Sequence, residues 1–171
     1  MLFLWESAQY LYSRYTPLVF ISLQNLLLLL LRLKWGYDFF AAGRGKLANH
    51  EQVTNFFTSL GIPLPGLNAW FVGGVEMAGG LLLIAGLATR PVAAVLSINM
   101  LVAYLSVAED RTALLGMFQD SDAMVAASPF LFLLASLLCL AFGPGRLSAD
   151  AILVRRLEQT SGSSVKAMGA A

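Results

Sequence analysis

Long apolar runs with few charges fill most of the chain between residues 18 and 142. A membrane-spanning helix needs about 20 mostly apolar residues, and each of four segments reaches or approaches that length. Ser128 and Pro129 interrupt the last of them and predict a kink, or a late start to its regular part. The pattern therefore predicts four spans, at residues 18–42, 66–88, 91–108 and 123–142.

The first span raises a question at residues 26–40, "LLLLLLRLKWGYDFF", where charges follow six leucines. If the span ended at Leu31 it would hold 14 residues, too few to cross a bilayer. Continued to Ala42 it has 25 residues, enough to cross with some tilt. We therefore expect the helix to continue through Arg32.

Three segments outside the spans have an interfacial character. Residues 2–15 carry aromatic rings that favour the headgroup level, and residues 50–60 place apolar side chains on one helical face. Ser148 can cap a short helix from Ala149, whose Ile152 and Leu153 oppose two arginines. From residue 160 the Ser, Gly and Ala residues predict disorder.

The pattern therefore divides the chain into three parts. Residues 1–16 form an N-terminal interfacial segment, residues 17–146 a four-span membrane domain, and residues 147–171 an amphipathic helix with a flexible cytoplasmic tail. The predicted fold class is all-α, an integral membrane four-helix bundle with short interfacial helices.

Composition supports a membrane protein and narrows its partners. The chain is 58% hydrophobic and 12% charged, with a mean hydropathy of +0.72, whereas soluble domains carry about 25% charged residues. A formal charge of +1 provides no basic field for nucleic acid, and the single cysteine excludes an internal disulfide. The lipid bilayer is the partner that composition indicates.

Lysine and arginine positions predict the orientation, because they are enriched in cytoplasmic flanks. With four spans, both termini and the connection between the second and third spans share one side. That side holds six basic residues and the other holds three: Arg14, Arg90, Arg146, Arg155, Arg156 and Lys166 against Arg44, Lys46 and Arg111. The chain is thus expected to be a multi-pass protein of the cell membrane with both termini in the cytoplasm.

A polar layer is predicted near the bilayer midplane. Arg32, Glu76 and Asn99 each lie within two residues of the centre of a predicted span, about 3 Å at 1.5 Å rise per residue. A charge at this depth must pair, so we expect Arg32 to pair with Glu76 and Asn99 to add hydrogen bonds. Asp38, six residues further along, is a poorer partner for Arg32 and a nearer one for Lys34.

Two interpretations of this layer stay open. The pair can lock the register of two helices, as buried polar groups do in some proteins. Alternatively, the layer can bind a quinone headgroup, an ion or a small substrate. Gly36 and Gly43 lie on the same helical face as Arg32. Small residues such as these allow membrane helices to approach closely.

Three stretches in order resemble the DoxX family of small four-span membrane proteins. They are "LLRLKWGYDFFAAGRGK", "FFTSLGIPLPGLNAWFVGGVEMAGGLLLIAGLATR" and "LCLAFGPGRLSAD", and together they cover roughly residues 27–150. Lys46 and Arg90 fall within them and join Asp38 as secondary site candidates. The resemblance implies a four-helix membrane bundle, with quinone-linked redox enzymes as the best-known setting. It makes quinone the candidate ligand and a redox-enzyme subunit the candidate partner.

The chain itself holds few groups for other chemistry. His50 lies beside Glu51 in the surface segment and is expected to be solvated, and Cys139 lies in an apolar run, where a packing role is expected. One histidine and one cysteine do not form a haem, iron–sulfur or zinc site, so we predict no metal and no intrinsic cofactor.

Three classes of function follow, and the sequence does not specify an oligomeric state. The first is an accessory or quinone-interacting subunit of a membrane redox complex, rather than a self-sufficient enzyme. The second is a protein that binds or transports a lipid or small solute, and the third is a structural membrane organiser without catalysis.

Overall fold

The structure is a computed structural model that describes residues 2–118 and 121–168, with side chains for residues 20–118 and 121–159. Helix accounts for 84% of it, and the described residues form no strand. The elements are α1 (Leu2–Ala48), α2 (His50–Ser59), α3 (Pro65–Ala85), α4 (Thr89–Ser106), α5 (Ala108–Leu115), α6 (Ser121–Ala126), α7 (Phe130–Phe142) and α8 (Ala149–Met168). The all-α prediction is confirmed.

Four of these helices pack in a closed ring in the order α1, α3, α4, α7 and back to α1. α3 and α4 are long and apolar enough to cross a membrane by length and composition, and α7 is a shorter apolar helix. The core inside the ring is formed by Phe39, Leu83, Ala93, Leu96, Met100 and Cys139.

The first helix differs from the sequence expectation in length. α1 continues through Arg32, as predicted, but it runs without a break for 47 residues from Leu2 to Ala48. The N-terminal interfacial segment and the first span are therefore one helix, and the aromatic side chains of residues 2–15 lie outside the described side chains.

Glycines set the register between α1 and α3. A Cβ atom added at Gly43 would lie 2.5 Å from the carbonyl oxygen of Gly73, and one added at Gly80 would lie 2.5 Å from that of Gly36. The two backbones touch at both points, because only glycine leaves room for such an approach. The helices run antiparallel, with residue 36 level with residues 80–84 and residue 43 level with residues 73–77.

This register corrects the predicted depth of Arg32. Its guanidinium lies against Gly86, at the C-terminal end of α3, and not beside Glu76. Ten residues separate Glu76 from Gly86, which is about 15 Å along a helix. The part of α1 that packs on α3 runs from about Arg32 to Lys46, so the predicted span, which began at residue 18, placed its midpoint too early in the helix.

The fourth predicted span begins late, as the proline indicated. α7 starts at Phe130, directly after Pro129, and the short helix α6 precedes it.

α7 contacts two of the other ring helices through its side chains. Its Ser136 Oγ lies 2.8 Å from Ser97 Oγ of α4, within hydrogen-bonding distance. Phe132 of α7 packs edge-on against Phe39 of α1, with ring centroids 4.8 Å apart.

The C-terminal helix begins where the sequence places it. Ser148 Oγ accepts a hydrogen bond of 3.1 Å from the backbone N–H of Ala151, the arrangement expected of an N-cap. The helix then extends to Met168, so the segment from Thr160 to Met168, which we expected to be disordered, is helical.

Candidate functional site

A cavity of about 750 Å³ lies at the end of the ring where α1 ends and α3 begins. Its walls are mainly apolar and come from α1, α2, α3, α4 and the start of α7, and the polar residues Asn68, Ser106, Asp110 and Ser128 also line it. Lining side chains include Phe56, Phe57, Leu60, Val72, Met100, Val102, Ala103 and Phe132. Its volume falls within the range of about 300–1,000 Å³ that is typical of ligand pockets.

Three polar side chains meet at one place on the cavity wall. Lys46 Nζ donates a hydrogen bond of 2.5 Å to Glu76 Oε2, and Asn99 Nδ2 donates one of 3.1 Å to Glu76 Oε1. All three residues line the cavity. We call them the polar triad.

The triad is balanced in charge and unevenly exposed. The Glu76 side chain is 2% exposed, whereas that of Lys46 is 31% exposed. A carboxylate removed from water is tolerated when it is paired and hydrogen-bonded, and here both of its oxygens have a donor. The ammonium of Lys46 has three N–H donors and uses one on Glu76, so two remain for a ligand.

The hydrogen bond expected between Asn99 and Glu76 is present, but the predicted pairing of Arg32 with Glu76 is wrong. Arg32 is 1% exposed, and its Nη2 donates a hydrogen bond of 2.5 Å to the carbonyl oxygen of Leu147. Its Nε and Nη1 have no partner among the described residues. Arg32 therefore joins α1 to the segment before α8, at the end of the ring opposite the cavity.

The remaining candidates also lie outside the cavity. Asp38 pairs with Lys34, one turn away on α1, as the sequence suggested. Arg90 is exposed, and its Nε would lie 3.2 Å from a Cβ atom at Gly143, which places it near Arg32 rather than near the triad. Of the six candidates, the structure brings together Lys46, Glu76 and Asn99.

The lone cysteine and the lone histidine both have packing contacts. Cys139 is 1% exposed within the core, as expected. His50 is half-buried rather than fully solvated as expected. Its Nε2 lies 2.9 Å from the carbonyl oxygen of Gly66, and its ring lies 4.8 Å from that of Trp70 in a tilted arrangement. No three His, Cys, Asp or Glu side chains within residues 20–118 and 121–159 are grouped to hold a metal ion.

Sequence reasoning gave Lys46 too small a role. Arg32, Gly36, Phe39, Gly43 and Lys46 recur at intervals of three and four residues, so all five share one helical face. This spacing could have shown that a cation lies at each end of the face of α1 that packs on α3. Only the register of α1 on α3 determines which of the two reaches Glu76.

The stretch that carries the triad matches a known family. Residues 27–109 match the family model described as DoxX. This part of the chain is a DoxX domain. It includes the whole polar triad and ends in α5, so the resemblance noted at "LCLAFGPGRLSAD" lies beyond the matched residues.

One curated relative of the DoxX domain also matches. The Bacillus subtilis (strain 168) protein described as "Putative oxidoreductase CatD" is 37% identical over 79 residues, which are 46% of this chain and 58% of that protein. The chain thus spans a little over half the length of that relative. No solved structure matches the chain.

Proposed function

We propose that this DoxX-domain protein is an accessory or quinone-interacting subunit of a membrane redox complex, and that its cavity holds the quinone headgroup. The observation that carries the proposal is a polar triad on the wall of an otherwise largely apolar cavity. A hydrogen-bonded polar cluster on a largely apolar wall orients a ligand that has one polar end. The relative described as an oxidoreductase supports the redox setting.

The residues fit a quinone in both polarity and size. A quinone carbonyl oxygen accepts hydrogen bonds, and Lys46 has donors that Glu76 does not use. The ring can pack against Phe132 and Met100, which line the same cavity. When bound, a quinone supplies a carrier for two electrons and two protons, and the protein supplies position and exclusion of water.

The triad contributes no net charge to the cavity wall that would hold the ligand. The charges of Lys46 and Glu76 offset each other, so at the triad a neutral headgroup meets hydrogen-bond donors rather than an uncompensated charge. Asn99 holds the second carboxylate oxygen of Glu76 and keeps the carboxylate in one orientation. We therefore assign Lys46 to binding, and Glu76 and Asn99 to positioning Lys46.

The cavity predicts how a variant will bind quinone. Asn99→Leu removes a polar group while leaving Lys46 and Glu76 paired. The variant removes the donor to Glu76 Oε1, and with it the restraint on the carboxylate that positions Lys46. Since one such hydrogen bond contributes about 0.5–1.5 kcal/mol, quinone binding should weaken by up to about tenfold. The measurement is quinone extracted per mole of protein after gentle purification from native membrane, with far-ultraviolet circular dichroism as the test of folding.

A matched control exists on the surface. Asn55→Leu makes the same replacement at an exposed residue of α2 that does not line the cavity, and its quinone content should equal that of the unaltered protein. Equal quinone in both variants would contradict the headgroup site. If a phospholipid or another apolar solute is retained instead and Asn99→Leu lowers it, the second class, a lipid or solute carrier, is supported.

The proposed arrangement in the membrane is a multi-pass one in the cell membrane. α1, α3, α4 and α7 form the ring and would provide four crossings, with both termini in the cytoplasm as the distribution of basic residues indicates. A reporter fused after Gly162 and one inserted at Asp110 should then be active on opposite sides of the membrane. Activity of both reporters on one side would rule out the four-crossing arrangement.

A further inference from the structure

The first turn of α8 is fastened to the rest of the molecule. The carboxylate of Asp150 accepts hydrogen bonds from the backbone N–H groups of Ala88 (2.7 Å) and Thr89 (2.9 Å). The backbone N–H of Asp150 donates one of 3.0 Å to the carbonyl oxygen of Gly86. α8 therefore begins level with the turn between α3 and α4, the two helices with the length and composition of membrane spans.

After this attachment, α8 leaves apolar side chains uncovered. Ile152, Leu153, Val154 and Leu157 are each between 49% and 68% exposed. At 100° per residue, Leu153 and Leu157 lie within 40° of each other, Arg155 lies nearly opposite them, and Glu158 lies about 140° from Leu153. Arg156 lies about 60° from Leu153, at the edge of the apolar side, where a long side chain can reach the headgroups. A helix with one apolar and one charged side is suited to the boundary between lipid headgroups and acyl chains.

The adjoining part of α1 has the same character. Asn25 Oδ1 accepts a hydrogen bond of 2.7 Å from the backbone N–H of Arg146, and Leu28 packs against Gly145. Beside these contacts, Leu27 and Leu30 are 56% and 52% exposed. Both helices thus leave apolar side chains exposed at this end of the protein, where lipid can cover them.

The cationic side chains at this end indicate which lipid. Arg90, Arg146 and Arg155 are all exposed, and they come from the start of α4, the loop before α8 and α8 itself. Both carboxylate oxygens of Asp150 accept hydrogen bonds from the backbone of the α3–α4 turn. Exposed arginines beside an apolar helix face are complementary to anionic headgroups over acyl chains.

We propose that α8 lies on the bilayer surface and binds anionic phospholipid. Leu153 and Leu157 enter the acyl boundary, while Arg146 and Arg155 contact the phosphate groups. The attachment through Asp150 holds the helix at this depth. This surface is separate from the cavity, and the proposal stands whether or not the cavity binds a quinone.

Single introduced thiols on the full-length protein test the proposal. Cys139 is 1% exposed, so an environment-sensitive fluorophore should react only at Leu153→Cys, Leu157→Cys, Arg155→Cys or Glu158→Cys, with the unaltered protein as the blank. Each labelled protein is placed in vesicles of phosphatidylcholine mixed with phosphatidylglycerol, and in vesicles of phosphatidylcholine alone. Quenching by lipid-borne nitroxide is compared with quenching by iodide in the water.

In the mixed vesicles, the labels at positions 153 and 157 should be quenched by nitroxide and shielded from iodide, and those at 155 and 158 should show the reverse. Without phosphatidylglycerol, the nitroxide quenching at 153 and 157 should fall at least twofold. Arg146→Gln combined with Arg155→Gln should remove that dependence on phosphatidylglycerol, while the matched change Gln24→Ala, at an exposed residue of α1, should not.

Three results would overturn the proposal. Equal quenching at the four positions would mean that α8 has no preferred side toward lipid. The same pattern in both kinds of vesicle would remove the requirement for anionic headgroups. The third result is shielding from iodide that persists in detergent and is accompanied by energy transfer between labelled copies. It would show that a second copy of the protein covers this face.

Discussion

Valine at Gly43 will force α1 and α3 apart and strongly destabilise the protein. Even the first side-chain atom would lie 2.5 Å from the carbonyl oxygen of Gly73, and this neighbour is backbone, which has no rotamer to change. Overpacking commonly costs 1–3 kcal/mol and sometimes more, and here we expect about 3 kcal/mol. Gly80→Val should behave alike, because its Cβ atom meets the backbone of Gly36 at the same distance.

The same two helices provide matched controls. A Cβ atom added at Gly45 of α1 or at Gly74 of α3 meets nothing within 4 Å. Gly45→Ala and Gly74→Ala should therefore leave thermal stability in detergent unchanged or raise it slightly, because alanine favours helix by up to about 1 kcal/mol. If Gly43→Val unfolded at the same temperature as these controls, the close contact between α1 and α3 would be wrong.

The second large effect is expected at the triad. Glu76→Leu strands the ammonium of Lys46 beside the apolar cavity, and Lys46→Leu strands the carboxylate of Glu76, which is 2% exposed. Breaking a buried pair costs about 3–5 kcal/mol. Because Lys46 is partly exposed, we expect about 3 kcal/mol for either single change, measured as the free energy of unfolding in detergent.

The double variant distinguishes a pair from two independent residues. Lys46→Leu combined with Glu76→Leu leaves no unpaired charge and should recover more than half of the lost stability, since apolar replacements of buried pairs are often neutral. Arg32→Leu combined with Glu76→Leu should recover nothing, because those two residues lie at different depths. Recovery by the Arg32 combination instead would restore the pairing that the sequence suggested.

The role of the pair in function can then be separated from its role in stability. If Lys46→Leu combined with Glu76→Leu is stable and retains as much quinone as the unaltered protein, the pair serves only helix packing. If it is stable and retains little, the triad belongs to the binding site. The two interpretations that the sequence left open are thus resolved by one protein measured in two ways.

Much of the fold follows from local pattern. Apolar runs of about 20 residues predicted α3 and α4 to within three residues at each end, because a helix in lipid must satisfy its own backbone hydrogen bonds. Pro129 marked the start of α7, since proline is tolerated at a helix start and disfavoured inside it. Ser148 predicted the start of α8 by its capping chemistry. These signals act over a few residues and can be read without tertiary contacts.

The partner of Glu76 could not be read in this way. Sequence alone showed that Glu76 needed a cation and that Asn99 lay at the same depth, and both hold in the structure. Choosing between Arg32 and Lys46 required the register of α1 on α3, and the predicted start of the first span at residue 18 displaced its midpoint toward Arg32. Contacts between glycine backbones set that register, and they depend on the shape of both helices together. The apolar walls of the cavity come from five helices, so they too exist only once the ring has closed.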